Sequence, residues 1–146
     1  MMQAMQNEKE FKQNHYFLEA EELTMHFPAK SDGLGRPVSW IHAADAVSFR
    51  VPKGKTLGVV GESGCGKSTV GKMLLNIYRP TSGKIYYEGT ELTGLSAKER
   101  RPYAKRMQLV WQDPYSSLDP RLRAGDIIAE GIDNFHLASS AAQRRE

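Results

Sequence analysis

The stretch GESGCGKST, residues 61–69, decides the fold. The positions that match the pattern G-x-x-x-x-G-K-[ST] are Gly61, Gly66, Lys67 and Ser68. The stretch follows the apolar run TLGVV at 56–60, which predicts a buried strand, and precedes VGKMLLNIY, which predicts a helix beginning near Lys67. A strand, a glycine-rich loop and a helix in this order bring backbone N–H groups together at a helix N-terminus, where phosphate binds.

The residue types of this loop predict binding of a nucleotide triphosphate, namely ATP with Mg²⁺. The Lys67 ammonium would contact the β- and γ-phosphates, the Ser68 hydroxyl would ligate Mg²⁺, and Thr69 can hydrogen-bond the α-phosphate. The predicted nucleotide-binding residues of the loop are Gly61, Glu62, Ser63, Gly64, Cys65, Gly66, Lys67, Ser68 and Thr69. Cys65 occupies a variable position, where it is either a small filler or a reactive thiol beside Lys67.

Composition indicates one globular domain of 146 residues. Hydrophobic residues make up 40% of the chain, charged residues 25%, and the net charge is +3, which diagnoses no particular partner. No apolar run approaches the roughly 18 residues that span a bilayer, and the N-terminus lacks the pattern of a secretory signal. A single cysteine fits a reducing compartment, so a cytosolic protein is expected.

The pattern along the chain predicts an N-terminal tail at 1–16 and a domain at 17–146. Strands are predicted at 17–27, as a pair within 38–51, at 56–60, as a hairpin at 85–94 around Gly89, and at 107–112. Helices are predicted from Lys67 through 78, at 97–106 and at 126–135. The segments 28–37 and DPYSSLDPR are predicted loops, and Ser96 with Glu99 forms a possible capping box. The fold class is α/β, a P-loop core with an antiparallel β subdomain.

The stretch from Val59 to Arg121 resembles the ATP-binding subunits of ABC transporters, in particular the branch that imports dipeptides and oligopeptides. The resemblance covers about residues 19–135. Its most specific parts are GESGCGKST and WQDPYSSLDPR, and FPAK with GLGR before the loop favours the peptide-importer branch.

The resemblance implies roles for two residues outside the loop. Gln112 matches the family glutamine that ligates Mg²⁺ and lies where the transmembrane subunit docks, and Phe27 matches the aromatic residue that stacks on adenine. It also implies the partners, which are transmembrane permease subunits and a second ATP-binding subunit, in a homodimer or a heterodimer. The protein would lie at the cytoplasmic face of the inner membrane.

Three family motifs do not occur in these 146 residues: the LSGGQ signature, the strand ending in Asp-Glu (Walker B) and the switch histidine. His136 lies too early to be that histidine. The chain is therefore expected to be an N-terminal portion of such a subunit, truncated before the signature and Walker B, which binds ATP without hydrolysing it alone. The alternative is a non-catalytic nucleotide-binding fragment of a truncated gene, with no transport activity.

Two other classes fit the sequence poorly. A switch GTPase needs D-x-x-G and N-K-x-D after the loop, but the D-x-x-G at 32–35 precedes it and N-K-x-D does not occur. Nucleic-acid binding rests only on a basic run that reads better as a solvated helix face, so no nucleic-acid partner is expected. This run comprises Lys98, Arg100, Arg101, Lys105 and Arg106.

Overall fold

The computed structural model describes residues 16–140 and 142–144. The chain divides into two compact units, residues 1–101 and 102–146, which are described separately below. The predicted N-terminal tail lies outside the described residues except for Tyr16. Among the described residues, no helix is both long enough and apolar enough to cross a bilayer.

The first unit is built on two long antiparallel strands, β1 (Leu18–Ser31) and β2 (Pro37–Val51). β1 confirms the strand predicted at 17–27 but continues past Pro28, because the Asp32 carboxylate accepts the N–H groups of Leu34 and Arg36 at 2.9 and 2.8 Å and makes a tight turn. The predicted loop at 28–37 was therefore too long. The strand pair predicted within 38–51 was wrong, since a single strand occupies that stretch.

Bulges interrupt the pairing of β1 with β2 and leave Glu22 and Ala46 at positive φ. The Thr24 hydroxyl accepts the Ala46 N–H at 3.1 Å, and the Ser48 hydroxyl accepts the Glu22 N–H at 2.8 Å. Side-chain oxygens thus replace the ladder hydrogen bonds that the bulges remove. This explains how one strand can continue where alternation suggested two.

Two further strands, β3 (Ser82–Tyr87) and β4 (Thr90–Glu91), form the hairpin predicted around Gly89. β3 pairs antiparallel with β1, and the sheet has the order β2-β1-β3-β4. Helix α1 (Lys67–Leu74) packs against β1 and β2. The largest fully buried side chains between these elements are Leu23, Met73, Ile85 and Leu92.

The other helices agree with the sequence in position. α2 (Ala97–Ala104) opens with the predicted capping box, in which Ser96 Oγ donates to Glu99 at 2.6 Å and accepts the Glu99 N–H at 3.4 Å. The single turn α3 (Pro114–Ser117) lies inside the predicted loop DPYSSLDPR. α4 (Ala124–Asn134) begins two residues before the helix predicted at 126–135.

The strands predicted at 56–60 and 107–112 were wrong. Both segments lack strand pairing in the described structure, and Val60 and Val110 are each 93% exposed. An apolar run of this kind becomes a strand only when neighbours on both sides supply hydrogen bonds and cover its faces. In its own unit, neither segment has such a neighbour among the described residues.

Candidate functional site: a phosphate-binding loop

The loop at 61–69 lies in the first unit between an irregular segment and α1. A turn closed by the hydrogen bond from Cys65 N–H to the Glu62 carbonyl, 3.4 Å long, leads into Gly66, the residue before the helix. Gly64 and Gly66 have φ of 82° and 94°, a left-handed conformation that disfavours side chains with a Cβ. The glycines of the motif are thus placed where the turn requires them.

Gly66 also permits a close approach between the loop and the sheet. A Cβ at Gly66 would lie 2.1 Å from the carbonyl oxygen of Ala43 in β2. At Gly61, a Cβ would lie 2.7 Å from Cys65 Sγ, the other side of the same loop. The contact of the loop with β2 therefore depends on the absence of a side chain at Gly66, because the atom it meets there belongs to the backbone.

The N-terminus of α1 offers N–H donors for which the helix itself supplies no acceptor. The first helical hydrogen bond runs from the Val70 N–H to the Gly66 carbonyl at 2.9 Å, so the N–H groups of residues 66–69 have no acceptor within the helix. Gly66 supplies no capping side chain, and the first turn of α1 contains no acidic residue. The positive end of the helix dipole is thereby open to an anion.

The Lys67 ammonium folds back over the loop. Its Nζ donates to the carbonyl oxygens of Gly61 at 2.7 Å and Glu62 at 2.6 Å, and lies 3.4 Å from Cys65 Sγ. A cation is thus held at the centre of the glycine loop. Ser68, which is exposed, and Thr69, which is half-buried, both lie in the first turn of α1.

Arg100 holds the other end of the loop helix. Its guanidinium donates to the carbonyl of Leu74, the last residue of α1, at 3.3 Å and to that of Leu92 at 3.1 Å, and burial lowers the pKa of the group. The interpretation of the basic run as a solvated face was therefore wrong for Arg100. Sequence patterns could not reveal this role, because the carbonyl it satisfies lies 26 residues earlier.

Phe27 lies in β1 and is half-buried. Its ring packs edge-to-face against Tyr78, with centroids 5.2 Å apart and an angle of 79°. Tyr78 in turn lies 5.2 Å from the Lys72 ammonium. An edge-to-face contact occupies one part of an aromatic ring, so stacking of adenine on Phe27 stays a prediction.

Gln112 lies in the second unit, exposed, in the irregular segment before α3. The following residues form two side-chain-supported turns: Asp113 accepts the Tyr115 N–H at 3.0 Å, and Asp119 accepts the Arg121 N–H at 3.0 Å. The Arg121 guanidinium holds the pKa of Asp119 below its usual value. A shared Mg²⁺ site of Gln112 with Ser68, a residue of the first unit, stays a prediction.

The loop residues fit a nucleotide polyphosphate. Their fit rests on the open N–H groups of residues 66–69, the cradle that a Cβ would fill at Gly66, and the ammonium of Lys67. A groove of the first unit is a different feature, because residues of β1, β2 and β3 line it and no loop residue does. We take the loop and not this groove as the candidate functional site, because the loop brings several donors together at one point.

These features define a P-loop nucleotide-binding protein. The sequence profile of the ABC transporter family matches residues 44–145, and the chain belongs to this family. It is 49% identical to a probable peptide ABC transporter ATP-binding protein of Sinorhizobium fredii over 129 residues, which are 88% of this chain and 36% of that protein. It is 43% identical to the dipeptide transport ATP-binding protein DppF of Escherichia coli over 88% of this chain and 38% of the relative. The chain thus spans less than half the length of these relatives.

The fold comparison agrees. The structure of the ATP-binding cassette MJ0796 bound to ADP and phosphate superposes with a TM-score of 0.70, covering 88% of this chain and 52% of that one, at 21% identity. A likeness at this identity supports the fold alone. Together with the family match, it confirms the predicted fold class, which is an α/β P-loop core with an antiparallel β subdomain, part of an ABC ATPase domain.

Proposed function

We propose that this chain is the nucleotide-binding part of an ATPase subunit that energises the import of peptides or similar small solutes. The observation that carries the proposal is the Lys67 ammonium held over the glycine loop at the open N-terminus of α1. The peptide-transport names of the relatives support the substrate class. The cargo itself would be selected by other subunits.

Within this proposal, the loop residues bind and orient the triphosphate. The N–H groups of residues 66–69 donate to phosphate oxygens, and Lys67 exchanges its contacts with the Gly61 and Glu62 carbonyls for phosphate oxygens of greater negative charge. Ser68 and Gln112 would hold Mg²⁺, and Phe27 would stack on adenine. Bound Mg²⁺ would offset negative charge on the β- and γ-phosphates.

The partners follow from the same assignment. Transmembrane permease subunits would dock near Gln112, and a second ATP-binding subunit would complete the ATP site across a dimer interface. The protein would then lie peripherally on the cytoplasmic face of the inner membrane. No nucleic acid is required for any of these contacts.

A second candidate is a nucleotide-binding module without transport activity. It rests on the same loop geometry, with the Lys67 ammonium held over the glycines at the open N-terminus of α1. Both candidates predict ATP binding by this chain. Only hydrolysis and transport after assembly with permease subunits separate them.

Calorimetric titration of the purified chain with ATP and Mg²⁺, together with a phosphate-release assay, tests the proposal. We expect binding without turnover. Lys67→Ala should weaken ATP binding by about 10-fold or more, because hydrogen bonds to charged groups contribute about 1.5–3 kcal/mol. Lys98→Ala on the exposed part of α2 serves as the matched control, since it also removes one lysine charge.

Equal ATP affinity of the Lys67→Ala and Lys98→Ala variants would contradict the assignment of the loop. Binding of GTP and ATP with equal affinity would leave the loop assignment intact but would count against adenine recognition. Steady hydrolysis by the chain alone would show that the missing motifs are dispensable.

A further inference from the structure

Three side chains with metal-ligating atoms lie together on the paired strands β1 and β2, and the proposed ATP site uses none of them. His26 of β1 is directly opposite His42 of β2 in the strand register, and Asp45 lies three residues further along β2. The two imidazole rings are 3.9 Å apart between centroids and inclined at 41°. One ligand atom from each of the three residues lies within 4.8 Å of the others.

His26 has a polar atom in need of a partner. Its Nε2 is shielded from solvent and has no hydrogen-bond partner in the described part of the chain. The backbone of the residue is fixed, since its N–H donates to the Thr81 hydroxyl at 3.0 Å. Buried polar atoms without partners are rare and call for an explanation such as an ion. The same residue offers a ring nitrogen within 4.8 Å of ligand-type atoms of His42 and Asp45.

We propose that His26, His42 and Asp45 bind a divalent transition-metal ion, of which Zn²⁺ is the representative, with water in the fourth position. Tetrahedral zinc with ligands at about 2.0–2.1 Å brings ligand atoms to about 3.3 Å from one another. His42 and Asp45 are exposed, so their side chains have room to rotate into this distance. Two imidazoles and one carboxylate suit zinc, whereas Mg²⁺ prefers oxygen ligands, so this site is separate from the Mg²⁺ of the nucleotide.

The ion would link the two long strands at a point where their pairing is irregular. The register of β1 and β2 shifts between Met25 and His26, which interrupts the ladder there. A metal bound by one residue of β1 and two of β2 replaces lost ladder contacts with coordinate bonds. A metal ion that binds the folded chain but not the unfolded chain stabilises the fold.

Titration of the purified, metal-free chain with Zn²⁺ in the absence of nucleotide tests the site. We expect one ion per chain, a higher melting temperature with Zn²⁺, and no competition from excess Mg²⁺. His42→Ala should weaken Zn²⁺ binding at least 10-fold, since removal of an outer hydrogen-bonding partner of a zinc ligand already costs about 10–100-fold. Asp45→Asn should weaken it as well. Because both side chains are exposed, we expect both variants to fold as the parent chain does.

The matched control is His136→Asn, which removes an exposed imidazole from the second unit and keeps a residue that accepts positive φ. This variant should bind Zn²⁺ as the parent chain does. Substitution of Co²⁺ for Zn²⁺ adds a spectroscopic readout, since ligation by nitrogen and oxygen gives visible absorption without the thiolate charge-transfer band that Cys65 would produce. The proposal is overturned by absence of binding, by binding that survives both His42→Ala and Asp45→Asn, or by a thiolate band.

Discussion

Gly66 and Ala43 approach so closely that a Cβ on Gly66 would lie 2.1 Å from the Ala43 carbonyl oxygen. The contact joins the last turn of the phosphate loop to β2 and therefore fixes where α1 begins. The sequence motif accounts for Gly66 by the close approach of the loop backbone to a phosphate group. The structure adds a second reason, which is the seat of the loop on the sheet.

Gly66→Ala should therefore lower stability as well as ATP affinity. A non-glycine residue in a left-handed conformation costs about 1–2 kcal/mol, and displacement of the Ala43 carbonyl adds to that cost. Urea unfolding followed by circular dichroism measures the change. The control Gly71→Ala lies inside α1 with no atom within 4 Å of the added Cβ, and it should stabilise the helix by up to about 1 kcal/mol. Two variants of equal stability would contradict the close packing at Gly66.

Arg100 provides a second test, because its buried guanidinium is the donor for the Leu74 and Leu92 carbonyls. Arg100→Met keeps much of the side-chain volume but leaves these carbonyls without that donor. The expected loss of stability is about 1–3 kcal/mol in urea unfolding. Lys98→Met, an exposed substitution on the same helix, should have little effect. A loss no greater than that of Lys98→Met would show that water replaces the guanidinium without cost.

The accuracy of the sequence predictions follows from how local each signal is. The glycine turn that leads into α1 at Lys67 and the Ser96–Glu99 box were predictable because a few adjacent residues determine each of them. The segments 56–60 and 107–112 were predicted as strands from their apolar residues alone. A strand depends on neighbours elsewhere in the chain, and pattern reading assumed neighbours that the described sheet does not provide.

For the same reason, sequence patterns could not predict contacts between residues that are far apart in the chain. Arg100 binds a carbonyl 26 residues away, and it was assigned to the surface because the residues around it are basic. His26 and His42 face each other only because β2 is one continuous strand. Two short strands, as predicted from the sequence, would not have the register that brings the two rings together.

The capping box predicts a pH-dependent contribution to stability. Hydrogen bonds from the Ser96 hydroxyl and backbone N–H lower the pKa of Glu99 in the folded chain. Because the folded pKa is the lower one, the contribution is fully present above the unfolded value of about 4.3 and is lost as the pH falls through the folded pKa.

Thermal unfolding of the parent chain and of Glu99→Ala between pH 3 and pH 7, values chosen to span the unfolded pKa of about 4.3, checks this prediction. The difference in melting temperature should be largest near neutral pH and should shrink at the acidic end. Glu130→Ala, an exposed glutamate in α4, controls for the general loss of one carboxylate from a helix. A difference in melting temperature that does not change with pH would mean that the charge of Glu99 does not contribute to stability.

Phe27 is the proposed adenine contact, and its ring already packs edge-to-face on Tyr78. Phe27→Leu keeps an apolar side chain in β1 but removes the aromatic face. If the ring stacks on adenine, this variant should bind ATP more weakly by about 3- to 10-fold, in line with about 0.5–1.5 kcal/mol for an aromatic pair. Its affinity for inorganic tripolyphosphate should be unchanged, since that ligand has phosphates but no base. Equal weakening of both ligands would instead assign Phe27 the structural task of supporting Tyr78 near the end of α1.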